Sequence, residues 1–364
     1  MQNRTVLKLF GLIAPLFTWL FTMLLPGRKP AVHRTECLNK CRIMQLVQSL
    51  TGYVDPQGKT PLTKVLERCY ALGAFPALWA VEGVGKDLAE FEIAKGGSPK
   101  GLLDAPELGP SWDKAQLMLH AGIGIGFVKH YVERLPGGAS DEDVRTMVRT
   151  VVKLCRDNSR PGYYGAAIES LGLAARFLKD PAFCKQVHRA LQVEATDSIG
   201  YFWRGVGRCL YFHPVNFLPG TSRPIRAIDK GLEEAPTPEL RQGMLAGTAW
   251  ALTVVNMATP EVMEWALSRF DDFDCSNPGF RNGVISSVVM RYDTTPDFDG
   301  IRRFRDHVPA DPKVAERWKS LIAGSIDTAI KVVHPVLSKH KRLDEVFQYQ
   351  DIEALVKNLQ SAKS

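Results

Sequence analysis

The sequence is poor in the signals that build sheets, disulfide frameworks and familiar active sites. Period-two alternation flanked by hairpin turns is hard to find, which excludes a strand-rich fold. Cysteine is sparse: Cys37, Cys41, Cys69, Cys155, Cys184, Cys209 and Cys275, an odd count and scattered apart from the first pair. A secreted disulfide scaffold is denser and paired, so buried free thiols in a reducing compartment are expected. Cys37 and Cys41 are spaced i, i+4, but a zinc site needs a second ligand pair, and neither His33 nor Cys69 makes a recognised spacing. No nucleophile motif, paired-histidine metal motif or phosphate loop occurs. Low-complexity segments are missing too, and only Gln360 to Ser364 read as a frayed tail.

Acidic residues are outnumbered, leaving a net charge of +7 over 364 residues. The excess is spread in short clusters, such as Arg145 with Arg149 and Arg302 with Arg303 and Arg305. No nucleic-acid signature accompanies them, so no nucleic-acid partner is expected. A solvated surface mildly attracted to anionic lipid or acidic partners accounts for the charge.

What the chain does have is helix. Leu9 to Leu25 (LFGLIAPLFTWLFTMLL) is uncharged, between Arg4 and Lys8 on one side and Arg28 and Lys29 on the other. At about 1.5 Å per residue it spans roughly 25 Å, the short end of a bilayer core. Apolar residues cover its whole circumference, and no small-residue cleavage site follows. Residues 1–30 are therefore expected to anchor the chain in a membrane. Arg28, Lys29, Arg34, Lys40 and Arg42 outweigh Arg4 and Lys8, which places the remainder on the cytoplasmic side.

Residues 35–350 read as one helical domain cut by Pro/Gly-rich loops at 55–61, 95–101, 135–143, 218–224 and 293–300. Ala139 to Asp143 is a helix start, with Ser or Asp to cap and acids to complement the first-turn dipole. Thr237-Pro238-Glu239 and Thr259-Pro260-Glu261 repeat one device, a capping Thr followed by Pro and an acid. A Gly-containing apolar segment recurs around Gly85, Gly124, Gly172, Gly207, Gly247 and Gly283, at intervals of about 40 residues. That period suits a two-helix unit that buries its apolar face by stacking on its neighbours. The expected fold is all-α, repeated helical hairpins of α-solenoid or α/α-toroid kind, preceded by an apolar N-terminal helix.

Glycine inside a helix costs up to about 1 kcal/mol relative to Ala. Close helix–helix approach is one compensation, and a concave surface bringing a ligand near backbone is the other. On the second reading Gly83, Gly85, Gly122, Gly124, Gly205 and Gly207 line a ligand site with His120, Arg204, Arg208 and Asn282. His120, Glu82 and Glu169 are the candidates for acid–base chemistry there, although a lone buried His or Glu is more often a satisfied core group. Gly122-Ile123-Gly124-Ile125-Gly126 lacks the strand and βαβ setting of a dinucleotide loop. Asp271-Asp272-Phe273-Asp274 has no second acidic cluster to share a Mg²⁺ ion. No metal and no cofactor is expected.

The blocks LMLHAGIGIGFVKHYVERLP (Leu117 to Pro136), DSIGYFWRGVGRCLYF (Asp197 to Phe212) and LRQGMLAGTAWALTVV (Leu240 to Val255) resemble a bacterial family of unknown function. Members of that family are encoded in enediyne natural-product clusters, beside the polyketide synthase. AVEGVGKDLAEF (Ala80 to Phe91) precedes these blocks and FRNGVISSVVMRY (Phe280 to Tyr292) follows, so the resemblance covers roughly Leu66 to Tyr292. The chain departs from the family where GIGIGF replaces an aromatic-rich helix. The resemblance implies a biosynthetic accessory role and carries no catalytic residues with it. Two readings follow: a non-catalytic protein binding a hydrophobic small molecule or partner protein at the membrane surface, or an enzyme acting on a polyene or lipid-like substrate in a helical cavity.

Overall fold

A computed structural model describes residues 28–48, 60–213, 223–269 and 278–362. Leu9 to Leu25, Cys275 and the Asp271 to Asp274 cluster lie outside the described residues. Within them the chain is all-α, with no strand. The helices are α1 (Arg28–Gln48), α2 (Leu62–Ala71), α3 (Ala74–Ala94), α4 (Asp113–Arg134), α5 (Asp141–Asp157), α6 (Tyr164–Leu178), α7 (Pro181–Glu194) and α8 (Ile199–Phe212). They continue as α9 (Arg223–Glu234), α10 (Pro238–Asn256), α11 (Pro260–Ser268), α12 (Pro278–Thr294), α13 (Gly300–Arg305), α14 (Pro312–Lys339) and α15 (Ile352–Ser361).

Residue pattern sorts these helices into two layers. α5 buries Val144, Met147, Val148, Val151, Val152 and Cys155, a stripe at i, i+3, i+4, i+7 spacing, and leaves its other face to water. α7 does the same with Phe183, Cys184, Val187 and Leu191. By contrast α4, α8 and α10 are buried almost all round, the mark of helices with neighbours on every side. The inner series is α3, α4, α6, α8, α10, α12, each packed along the next, and α12 also touches α4. Arg291 of α12 reaches back to the first helix of the series, its Nη1 donating to the carbonyls of Ala74 (3.1 Å) and Phe75 (3.2 Å). The amphipathic helices α5, α7, α9 and α11 cover the outside, and α14 packs on α12.

Most of the expected caps form. Ser140 Oγ accepts the Asp143 N–H at 3.2 Å, and Asp143 Oδ2 accepts the Ser140 N–H at 2.9 Å. Thr237 caps α10 by accepting the Leu240 N–H. Thr259 departs from the expected device. It precedes α11 with Pro260 in the first turn, but its hydroxyl caps nothing. Asn39 of α1 donates to that hydroxyl at 2.9 Å, so a contact between distant helices takes the atom that the local motif would use.

α1 docks on α3, α10 and α11 with polar as well as apolar groups. Glu36 and Lys40, both buried, pair at 2.9 Å, and the Lys40 ammonium lies 3.8 Å from the centre of the Tyr211 ring. Cys37, Cys41, Cys69, Cys155, Cys184 and Cys209 are buried, and the last five are free thiols. Among the described residues one helix, α14, is long and apolar enough to cross a membrane by length and composition. Its buried side, with Ile322, Ile326 and Val333, faces the core, while Asp327 on the outside pairs with Lys331 (2.7 Å) and Arg305 (2.8 Å).

Candidate functional site

The recurring glycines are where the inner helices cross. A Cβ built on Gly124 would stand 2.0 Å from the Ala167 carbonyl oxygen, and one on Gly207 2.0 Å from that of Met244. Gly122 faces the Glu82 carbonyl, Gly205 that of Glu169 and Gly247 that of Arg204 in the same way. Only residues without a side chain admit this approach, which lets neighbouring backbones touch. Gly83 and Gly85 are buried in α3, where a Cβ on Gly85 would meet the Leu119 carbonyl of α4. The glycines thus carry helix contacts, and the charged residues beside them are delivered to the crossing points.

Those charges form one buried network. Arg204 Nη1 donates to Glu169 Oε1 at 3.0 Å, and Arg208 Nη1 donates to Glu169 Oε2, also at 3.0 Å. Arg208 Nη2 pairs with Glu82 Oε1, joining α8 to α3 and α6 through one guanidinium. Arg204 Nη2 donates to Ser286 Oγ of α12 at 3.0 Å. All four charged side chains are at most 3% exposed. Two carboxylates face two guanidinium groups, so the formal charges balance, as burial requires. Burial works against the Arg208 cation, but Glu82 and Glu169 outweigh it and hold the guanidinium protonated beyond its ordinary range. Arg204, with Glu169 but also with Arg208 near it, is pushed down by burial to about 10. Burial pushes the Glu82 carboxyl up against the pull of Arg208. Trp250 of α10 covers the pair: its ring centre is 4.6 Å from the Arg208 guanidinium and 5.5 Å from that of Arg204.

His120 belongs to a different contact. The Arg160 backbone N–H donates to its Nε2 at 3.0 Å, so the ring proton is on Nδ1, which donates to the Gln116 carbonyl at 2.7 Å. The ring stacks on Tyr163 with centroids 4.9 Å apart and is fully buried. Burial pushes its pKa down to about 3, with the Gln116 hydrogen bond opposing and Arg160 assisting, which leaves a neutral imidazole with both nitrogens engaged. It shares no partner with Glu82 or Glu169. Asn282 is elsewhere again, its Nδ2 donating to the Gln350 carbonyl at 2.9 Å. Of the residues chosen from sequence, the structure therefore unites Glu82, Glu169, Arg204 and Arg208 and separates His120 and Asn282 from them.

Sequence reasoning missed three members of the central cluster, Trp250, Ser286 and Phe347. Trp250 and Ser286 lie within the recurring Gly segments, so the repeat carried their signal; Phe347 lies beyond the last one. At its centre both carboxylates pair with guanidinium groups, and the Ser286 hydroxyl accepts from Arg204 and donates to the Gly283 carbonyl. Among the described residues no group of three or more His, Cys, Asp and Glu side chains is placed to hold a metal ion. No protein-family model, no curated protein and no solved structure matches this chain.

Proposed function

We propose that this chain is a non-catalytic helical-repeat protein that binds a hydrophobic molecule or a partner protein at a membrane surface, as an accessory to secondary metabolism. The observation that carries the non-catalytic part is the self-pairing of the candidate chemical groups: Arg208 takes both carboxylates, and His120 has both nitrogens committed. A catalyst needs an acid or base with its proton or lone pair turned toward substrate. The finer fold is proposed as an α/α-toroid. The ordered succession of six inner helices and the return contact from Arg291 to Ala74 and Phe75 support closure rather than an open solenoid. The membrane part rests on Leu9 to Leu25 alone, and the accessory role rests on the sequence blocks that resemble the enediyne-associated family.

The reading is tested by titrating the full chain with conjugated polyenes and recovering each ligand for mass measurement. Saturable binding with every ligand recovered unchanged is the expected result; turnover of any of them would overturn the reading. For the anchor, deleting residues 1–27 should move the protein from the membrane pellet to the supernatant. Full-length chain already in the supernatant without detergent would remove the anchor from the proposal.

A further inference from the structure

Residues 341–353 cross one end of the inner layer as a strap, and they meet four successive inner helices in chain order. Asp344 takes α6: its N–H donates to the Gly162 carbonyl at 3.1 Å, and its Oδ2 accepts the Gly165 N–H at 3.0 Å. Gln348 lies over Gly200 of α8, where a Cβ would come within 3.1 Å of its Oε1. Tyr349 lies beside Gly243 of α10, and the Gln350 carbonyl accepts from Asn282 of α12. The strap is also cross-linked on itself, because Glu345 accepts from Arg342, Gln348 and Gln350.

Phe347 is one of the strap's buried residues, with Leu343 and Val346. It is fully buried, and its ring centre lies 5.2 Å from the Arg204 guanidinium, which also has Trp250 against it. The Arg204 Nε has no hydrogen-bond partner. The strap holds this position through a 3₁₀ turn, Leu343–Phe347, a weaker device than an α-helix. It begins at Lys341, whose φ of 52° is the left-handed region that a non-glycine residue rarely occupies. A left-handed residue at Lys341 and a short 3₁₀ turn set this segment apart from the regular inner helices.

We propose that Phe347 is the built-in occupant of a ligand site, and that lifting the strap about Lys341 lets a flat, conjugated, uncharged molecule take its place on Arg204. The chemistry of the vacated place sets the ligand class. A guanidinium face accepts a π system, whichever molecule brings it. The Nε proton is left for a carbonyl or hydroxyl oxygen on the same ligand. The two carboxylate–guanidinium pairs beneath already balance, so a charged ligand would arrive without a counter-charge. This inference rests on the binding reading above and names the place where that binding occurs.

The test uses N-phenyl-1-naphthylamine, a neutral planar aromatic probe whose fluorescence reports an apolar site. Phe347→Ala in the full chain removes the internal competitor and should tighten probe binding by about tenfold or more. Adding Arg204→Lys, which keeps the pair with Glu169 but loses the planar face, should reverse most of that gain. In the unmodified chain, where folding is not in question, saturating probe should speed amide hydrogen exchange at Val346 to Gln350. If a folded Phe347→Ala protein binds no more tightly, if Arg204→Lys changes nothing, or if the strap stays protected in the saturated unmodified chain, the strap site is wrong and binding is elsewhere. If no variant binds the probe or any polyene, the binding reading fails with it.

Discussion

Arg208 connects Glu82 to Glu169, two carboxylates on different helices that meet only through its guanidinium. Removing that one cation leaves Glu82 bare and Glu169 with Arg204 alone, in a fully buried place. Arg208→Met should therefore lower the free energy of unfolding by about 3–5 kcal/mol, the cost usual for breaking a buried pair from one side. Urea unfolding followed by far-UV circular dichroism measures it, and a loss below about 1 kcal/mol would show that water reaches the network.

The glycine crossings make an unusually strict demand on size. At Gly124 even a methyl group would overlap the Ala167 backbone. Gly124→Ala should destabilise by about 1–3 kcal/mol, although Ala is the better helix former by up to about 1 kcal/mol. Gly137, with nothing within 4 Å of a built Cβ, is the control, and Gly137→Ala should be neutral or slightly stabilising. Thermal melts of the two variants side by side decide the point. A Gly124→Ala protein as stable as the parent would mean that the helices move apart at little cost.

Much of this was legible in the sequence, and the limits have physical causes. Helix starts are local, so Ser140 and Thr237 announced themselves through residues three positions away. Thr259 carried the same local signal and was diverted by Asn39, a residue 220 positions distant that no local pattern can anticipate. The glycines showed that something came close to the helices, with a neighbouring backbone favoured over a ligand; in the structure a backbone carbonyl faces Gly85, Gly122, Gly124, Gly205 and Gly207. Glu82, Glu169, Arg204 and Arg208 were identifiable as inward charges, whereas their pairing spans 126 positions in the longest case and depends on how the helices cross. His120 looked like a partner for them because it occupies an equivalent place in its segment, yet it faces the loop before α6.

His120 gives a pH dependence with a definite sign. Its folded pKa, about 3, lies below the ordinary histidine value of 6.5, so the unfolded chain takes up the proton first as the pH falls. The stability associated with the neutral ring is fully present above pH 6.5 and declines as the pH drops from there toward 3. The slope approaches about 1.4 kcal/mol per pH unit in the middle of that window. Comparing urea unfolding of the parent and His120→Asn at pH 7 and pH 5 isolates it. The variant's loss relative to the parent should shrink at pH 5, and an unchanged difference would mean that the ring is not neutral and buried in solution.

Asn39 and Thr259 should behave as a coupled pair. Asn39→Ala and Thr259→Val each remove one side of the same hydrogen bond, so the double variant should lose less than the sum, by about 0.5–1.5 kcal/mol. Thr237→Ala, which removes a cap at another helix, should add to either one independently. Additivity between Asn39 and Thr259 would show that α1 does not hold α11 in solution.

The central network also dictates how the chain can come apart. In an open array of repeats each unit touches only its neighbours, so folding can spread from one end and the ends can fray alone. Here the charges of Glu82, Glu169, Arg204 and Arg208 balance only when α3, α6 and α8 are assembled together, and Arg204 reaches Ser286 of α12 as well. A half-built molecule would hold a bare cation or carboxylate in an apolar setting, a state costly enough to be scarcely populated. The early and late portions of the inner layer should therefore melt as one unit. Formation of this unit waits for contacts far apart along the chain, which makes its folding slower than helical content alone would suggest.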